Sequence, residues 1–503
     1  MNFLLALLMG LSLVLGAPLA AMAVEGDVDA ASPSSSPSPS APPDQRPDII
    51  VVMVDDLGHI PDDRLLKRLP NIRELWLDGG VRFRQAFNEV PLCCPARANF
   101  HSGQHSLNNG VVVNNWRGFD STDTLATAID AADYHTIFVG KYLNGFPGSM
   151  TPPGWDDLML TDGADSRKRN PAYWVNGERE VFRRRFFDDV VRTKSVRWLK
   201  DAPLDTPVFE VSAPFAPHRF ARDCDGFDLQ CIMAPVSMKR DRGASECAGI
   251  PDFKPPNYST EADFKAAPFR VPKQWTDGWP LRTSCESLLV VDRMVKQLVE
   301  AQAARGRPAY FVFLSDNGMA WGQHGHPLKH VPWATRLPLY IAGPGIDRGK
   351  SSLRVSIIDL PVTLADMAGA TMPFADGVSF LGTLVPPDAE AVADPEAVDD
   401  PDAVDDPDAV DAEDGTLDES FAGRTEILEL MPAPSAGVAE TYEGWAGIRT
   451  ERWRYIRWDR GLKQLFDLEK DPWGLKNLAR KNRALARRLD ARLDELIEAS
   501  RGP

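Results

Sequence analysis

The sequence predicts an α/β protein: a central sheet with helices on both sides, followed by a smaller C-terminal α+β subdomain. Three observations carry this. Residues 49–54 are wholly apolar and mostly β-branched, as a strand buried on both faces of a parallel sheet requires. Comparable runs recur at 136–139, 208–212, 309–314 and 338–342. Helical spacing separates them, with Leu288, Val291, Val295, Leu298 and Val299 on one face. Strands alternating with helices build a sheet covered on both sides.

The elements follow in chain order. Residues 3–16 form an apolar run, then come Pro18 and the small-residue pattern Ala21-Met22-Ala23. This reads as a signal peptide over 1–23, cleaved near Ala23, and so as a secreted or periplasmic protein. The run is short for a membrane span of about 20 residues, and no other segment is long enough to be one. Residues 24–46, with Ser-Pro-Ser-Pro-Ser at 36–40, read as a disordered linker. A catalytic domain is expected over 47–384.

Near residue 385 the composition changes. Three tandem hexads run from Asp394 to Asp411, each with one proline and three acids, which suits neither helix nor strand. Residues 385–420 therefore read as an acidic flexible insert. A calcium array is the competing reading, but the hexads lack the glycine of a tight coordinating loop. Of the net charge of −16, −13 falls within 388–414, leaving −3 for everything else. A near-neutral body argues against a nucleic-acid groove. The C-terminal subdomain, 421–503, should hold strands at 445–458 and 464–468 and a helix striped by Leu485, Leu489, Leu493, Leu496 and Ile497. Arg452-Trp453-Arg454-Tyr455 reads as alternation in a half-buried strand rather than as a nucleic-acid patch.

The six cysteines lie at 93, 94, 224, 231, 247 and 285. Export permits two disulfides among the last four, with connectivity open and free buried thiols as the alternative.

Chemistry concentrates where strands end. Asp55-Asp56 follows the 49–54 strand, and Ser315-Asp316-Asn317-Gly318 follows the 309–314 strand. Ligands of open α/β sheets bind beyond the carboxyl ends of strands. Three carboxylates and an amide oxygen form a hard donor set for Ca²⁺ or Mg²⁺, with no arrangement suited to zinc.

The stretch Cys93-Cys94-Pro95-Ala96-Arg97 resembles the Cys-Xaa-Pro-Xaa-Arg core of type I sulfatases, and ordered landmarks extend the resemblance over nearly the whole body. They include Asp55-Asp56-Leu57-Gly58, Gly140-Lys141-Tyr142-Leu143-Asn144, Pro217-His218, Asp316-Asn317-Gly318, Gly322-Gln323-His324 with Lys329, and the closing 465–472 segment. The resemblance implies an alkaline-phosphatase-like fold and hydrolysis of sulfate esters, here of sulfated small molecules or glycans. It implies that a formylglycine-generating enzyme converts Cys93 to formylglycine. It implies a metal at Asp55, Asp56, Cys93, Asp316 and Asn317, with Arg97, Lys141, His218 and Lys329 catalytic. Asn144 stands where many members carry histidine, and Leu107-Asn108-Asn109 replaces the usual histidines before Gly110. The Cys-Cys-Pro and Gly-Lys-Tyr-Leu-Asn forms resemble the glucosamine-6-sulfate branch, which makes Asn144 and His324 candidate substrate contacts. Two other readings stay open: a formylglycine-dependent phosphonate or phosphodiester hydrolase, and a binding protein in which Cys93 stays a thiol.

Overall fold

The computed structural model describes residues 46–163, 170–219, 234–259, 274–384, 423–433 and 443–502. The expected signal peptide, the linker up to residue 45, Cys224, Cys231 and the acidic insert lie outside the described residues.

In chain order the strands are β1 (Asp48–Val54), β2 (Val81–Phe87), β3 (His135–Gly140), β4 (Asp157–Thr161), β5 (Ala172–Val175), β6 (Glu178–Val181), β7 (Val208–Ala213) and β8 (Ala309–Ser315). A small antiparallel pair, β9 (Ala320–Trp321) and β10 (Pro327–Leu328), precedes β11 (Leu339–Ala342) and β12 (Gly349–Ser356). The central sheet has the order β12-β2-β11-β8-β1-β7-β3-β4-β5-β6. All five expected strands are present. The sheet is mixed, however, because β11 runs antiparallel to both β8 and β2, and β5 antiparallel to β4. Parallel pairing runs through the block β8-β1-β7-β3-β4 and recurs at the edge between β12 and β2.

Both faces of β1 are buried, and its alternate residues divide between two cores. Ile50, Val52 and Val54 belong to one, with α3 (Phe187–Asp201) and α4 (Arg282–Arg305). These helices follow α1 (Cys93–Ser102) and α2 (Leu125–Asp130) in the chain. Ile49, Val51 and Met53 belong to the other core, with α1, α2 and α5 (Asp359–Met367). The amino end of β1 is tied electrostatically. Buried Asp48 pairs with Arg305 Nε at 2.8 Å and Arg307 Nε at 3.1 Å and accepts from Val208 N at 2.8 Å.

The C-terminal subdomain is a four-stranded antiparallel sheet, β13 (Ile427–Met431), β14 (Trp445–Arg449), β15 (Trp453–Trp458) and β16 (Lys463–Asp467), with α6 (Arg483–Ala499). The expected 445–458 strand is thus a hairpin. Arg454 does not alternate outward; it is buried and ion-paired with Glu429 at 2.8 Å. A charge can occupy a strand's inner face only when so compensated. Val90 and Leu92 of the main domain complete this third core, so the subdomain grips the chain just before Cys93.

Cys247 and Cys285 form a disulfide, one of the pairings left open above. No helix among the described residues is long and apolar enough to cross a membrane.

Candidate active site

Four adjacent parallel strands deliver the site from their carboxyl ends. Pairing of Val54 with Ser315 sets Asp55-Asp56 beside Asp316-Asn317. Pairing of Gly140 with Ala213 sets Lys141 beside the segment leading to His218. Gly140 has φ +126°, and a Cβ there would meet Ala213 O at 2.1 Å, so only glycine allows this approach. Lys141 N then donates to Ala213 O at 2.9 Å.

Cys93 opens α1, a helix whose ten residues are all buried. Asn114 Oδ1 accepts from Cys94 N at 3.0 Å, meeting one of the donors a helix start leaves unpaired. The Cys93 Sγ lies 3.4 Å from Asp55 Oδ1, 3.9 Å from Asp56 Oδ1 and 2.7 Å from Lys329 Nζ. Arg97, one helical turn on, makes no hydrogen bond to Cys93. Its Nε donates to Asp316 Oδ2 at 2.8 Å and its Nη1 to Lys141 O at 2.5 Å, which locks α1 to both loops.

The carboxylates are individually compensated. Lys141 Nζ reaches Asp55 Oδ2 at 2.5 Å, Lys329 pairs with Asp56, and Arg97 holds Asp316. His218 Nε2 lies 3.5 Å from Asp56 Oδ2. Asn317 Nδ2 donates to Asp56 Oδ1 at 2.9 Å, and Asp56 N donates to Asp316 Oδ1 at 3.2 Å. Ligand atoms of Asp55, Asp56, Cys93 and His218 all fall within 4.8 Å of one another. This set adds His218 to the expected metal residues, with Asp316 and Asn317 bonded to its edge.

Electrostatics follow from burial and pairing. Burial alone would raise Asp55, yet Lys141, ahead of His218, Arg97 and Lys329, holds it well below the usual carboxylate range. Burial and the neighbouring Asp55 push Asp316 up against the pull of Arg97. Burial, then Asp55, push the Cys93 thiol up to about 12, so as cysteine it is a protonated, poor nucleophile at neutral pH. Burial pushes His218 down to about 4, against Asp55 and Asp56.

Asn144 O faces Cys94 Sγ at 4.0 Å, while its Oδ1 is buried without a hydrogen-bond partner. His324 packs on Trp333, with centroids 4.4 Å apart, and meets Asn257 Nδ2 at 3.3 Å.

Two further residues position these loops, and one of them, Asp188, lies outside every motif read from the sequence. Ser315 Oγ accepts from Leu57 N and donates to Asn317 O, both at 2.8 Å, stitching the two acidic loops together. Asp188, at the start of α3, accepts from Phe215 N at 2.7 Å and Ala216 N at 3.1 Å, while Ala216 O accepts from Asp55 N at 3.2 Å. The loop that carries His218 is thereby held from both sides.

The profile of the family described as Sulfatase matches residues 47–370. The chain belongs to the sulfatase family. Over 382 residues it is 28% identical to the extracellular sulfatase SULF-1 homolog of Drosophila melanogaster, covering 68% of this chain and 31% of that protein. Human N-acetylglucosamine-6-sulfatase is 26% identical over 371 residues, covering 68% of this chain and 64% of that one. The chain thus spans less than two thirds of the length of either relative. A solved structure of a protein in complex with its substrate D-glucosamine-2-N,6-O-disulfate superposes with a TM-score of 0.68 at 18% identity, covering 90% of this chain and 98% of that chain. That likeness establishes the sulfatase, alkaline-phosphatase-like fold.

One titration in this sulfatase can be read separately from its chemistry. His101 is buried among aromatic rings, 4.5 Å from Tyr142 between centroids, and burial, then Arg97, push it down to about 3. Its folded pKa lies below its unfolded value near 6.5, so the unfolded chain binds the extra proton and acid destabilises the fold. Between pH 6.5 and 3 the parent should lose more stability than His101→Phe, by at most about 1.4 kcal/mol per pH unit. Urea unfolding of both proteins across that range checks this; parallel stability curves would contradict it.

Proposed function

We propose that this chain hydrolyses sulfate esters with Cys93, oxidised to formylglycine, as the nucleophile-bearing residue. The observation that carries the reading is the convergence of three carboxylates and three cationic side chains on one buried Cys93, at the ends of adjacent parallel strands.

The charges explain why a metal belongs in this arrangement. Asp55, Asp56 and Asp316 balance Arg97, Lys141 and Lys329, so the side chains alone offer a sulfate no net attraction. The carboxylates with the Asn317 amide are a hard donor set that fits Ca²⁺ or Mg²⁺. Such a cation supplies Lewis acidity towards sulfate oxygens and lowers the pKa of a nearby hydroxyl. With the carboxylate charge so balanced, the Lys141 and Lys329 ammonium groups are available to sulfate oxygens.

The residues then divide the work. A hydrated aldehyde at position 93 would supply a hydroxyl that loses its proton to solvent and attacks sulfur as the ester S–O bond breaks. The leaving alkoxide takes a proton from His218, a contribution of about 10²–10⁴ in rate. The second hydroxyl would then give its proton back to His218 as the C–O bond to sulfate breaks, leaving the aldehyde and free sulfate. Burial pushes the pKa of His218 down to about 4, so the free imidazole is neutral near pH 7, and its Nδ1 bonds to Arg219 O at 2.6 Å. It acts as an acid once an anionic ester beside it has raised its affinity for a proton. Arg97 acts by holding Asp316 and the Lys141 backbone in place.

Sulfated glucosamine is the proposed substrate class, supported by the human relative's name and by the ligand of the superposed structure. Asn144 and His324 are the proposed sugar contacts. We place the protein outside the cytoplasm, which the Cys247–Cys285 disulfide and the extracellular Drosophila relative support. In the proposed chain organisation a signal peptide (1–23), a linker (24–46) and the acidic insert (385–420) flank and interrupt the catalytic (47–384) and C-terminal (421–503) parts.

Cys93→Ala should lower turnover by at least about 10³-fold, while Cys94→Ala keeps measurable activity. A hydrazide probe should label an aldehyde on the Cys93 peptide of the active protein. Full activity in Cys93→Ala would end the proposal.

Exhaustive chelation should remove nearly all turnover, and Ca²⁺ or Mg²⁺ should restore it better than Zn²⁺. Undiminished rates in protein shown to be metal-free by elemental analysis would refute the cation's role.

Among substrates, 6-sulfated glucosamine should exceed its 3-sulfated isomer, an aryl sulfate and a matched phosphate ester in kcat/KM. Polar groups built to meet sugar hydroxyls go unpaired when those hydroxyls are missing. Equal values for the two sugar isomers would defeat the substrate assignment, and a preference for phosphate would defeat the ester class.

A further inference from the structure

We infer that a cavity between the central sheet and the C-terminal sheet is a binding site for a tetrahedral oxyanion of the sulfate class. The cavity encloses about 90 Å³, and its wall carries Arg336, Arg449 and Arg454 but no carboxylate. A site of that size holds such an ion with several waters, since one water needs about 10–15 Å³ by this measure.

The positive charge is only partly neutralised. Glu429, behind the wall, pairs with Arg454 Nε at 2.8 Å and Arg449 Nε at 3.3 Å, so one carboxylate serves two guanidinium groups. It is fixed there by Thr335 Oγ1, which donates to it at 2.6 Å. Arg336 is the group left over. Its Nη2 bonds to a backbone carbonyl, Arg84 O, and its Nε is buried without a partner. Burial first, and then the cations Arg449, Arg82 and Arg84, push its pKa down to about 9. Guanidinium groups match the oxygens of tetrahedral anions in geometry as well as charge. Two net positive charges around one polar cavity are satisfied by a divalent oxyanion. Nothing else on the described wall supplies negative charge.

The cavity is mechanically linked to the reaction centre. A Cβ on Gly318 would meet Arg336 O at 2.3 Å and Ala334 O at 2.5 Å, so the segment bearing Arg336 lies directly on the Asp316-Asn317 loop. The occupant is either free sulfate or a second sulfate borne by the substrate. Binding here goes beyond ester cleavage and does not depend on it.

The direct test titrates sodium sulfate against sodium chloride at constant ionic strength and follows amide exchange in residues 445–458. That segment carries Arg449 and Arg454 and none of the residues around Cys93. Sulfate should slow exchange there in the unaltered protein, and Arg336→Gln should weaken this response about tenfold or more, with Arg336→Lys intermediate. Arg449→Gln serves if Arg336→Gln fails to fold. An equal response in unaltered and Gln-substituted proteins, or no response in the unaltered protein, would overturn the site. Kinetics separate the two sources. If Arg336→Gln raises KM for a disulfated substrate but not for its monosulfated counterpart, the occupant is substrate-borne; if both are unchanged while sulfate protection is lost, it is the free ion. Because protection is read without turnover, failure here and failure of the hydrolase reading are distinct results.

Discussion

Taking Asp55, Asp56 and Asp316 out of water beside one another is the demand that the rest of this molecule meets. Unpaired, three such groups would neutralise themselves or unfold the loops that carry them. The chain answers with one cation for each, and each cation arrives on a different element: Lys141 after β3, Arg97 from α1 and Lys329 after β10. The order β8-β1-β7-β3 brings Lys141 to the sheet end that carries Asp55, Asp56 and Asp316. Asp48, at the opposite end of β1, is met by Arg305 and Arg307, so both ends of the central strand are electrostatically anchored.

The C-terminal sheet is part of this scaffold rather than an appendage. Leu430 N donates to Glu89 O at 3.0 Å, and Val90 and Leu92 sit in the core that β13–β16 and α6 enclose. Glu89 also accepts from Asn99 Nδ2 at 3.1 Å and Ser106 N at 2.8 Å, spanning α1 from the residues before it to the residues after it. The helix bearing Cys93 is therefore held by both sheets. Loosening the small one would be felt at Cys93.

Much of this was legible in the sequence because burial on two faces leaves a plain mark. Strands β1, β8 and β11 are nearly continuous apolar runs, β3 and β7 are apolar with few interruptions (Thr136, Glu210 and Ser212), and the polar pairs Asp55-Asp56 and Asp316-Asn317 stand out against them. Strands β2 and β12 were not legible: Arg82, Arg84 and Gln85 interrupt the first, and Lys350, Ser351, Ser352 and Arg354 the second. Strand β6, Glu-Arg-Glu-Val, is wholly exposed and carries no hydrophobic signal. Asp188 escaped for another reason, and so did the role of Ser315, although that residue opens the Ser-Asp-Asn-Gly motif. They act by bonding backbone groups far away in sequence, which leaves no local pattern. Arg336, Arg449 and Arg454 are likewise gathered only by the docking of the two sheets, and each alone reads as a solvated charge.

The burial of α1 also sets an order of events. Cys93 is 1% exposed, and every residue from Cys93 to Ser102 is enclosed by the sheet, its neighbouring helices and the C-terminal core. No other protein can seat an active site around that thiol once the chain has closed. Any enzyme that alters Cys93 must therefore meet this stretch while it is still extended, in competition with the folding clock. A molecule that folds first keeps an unaltered thiol for its lifetime, so under the proposed mechanism the active fraction of a preparation becomes a record of which process was faster.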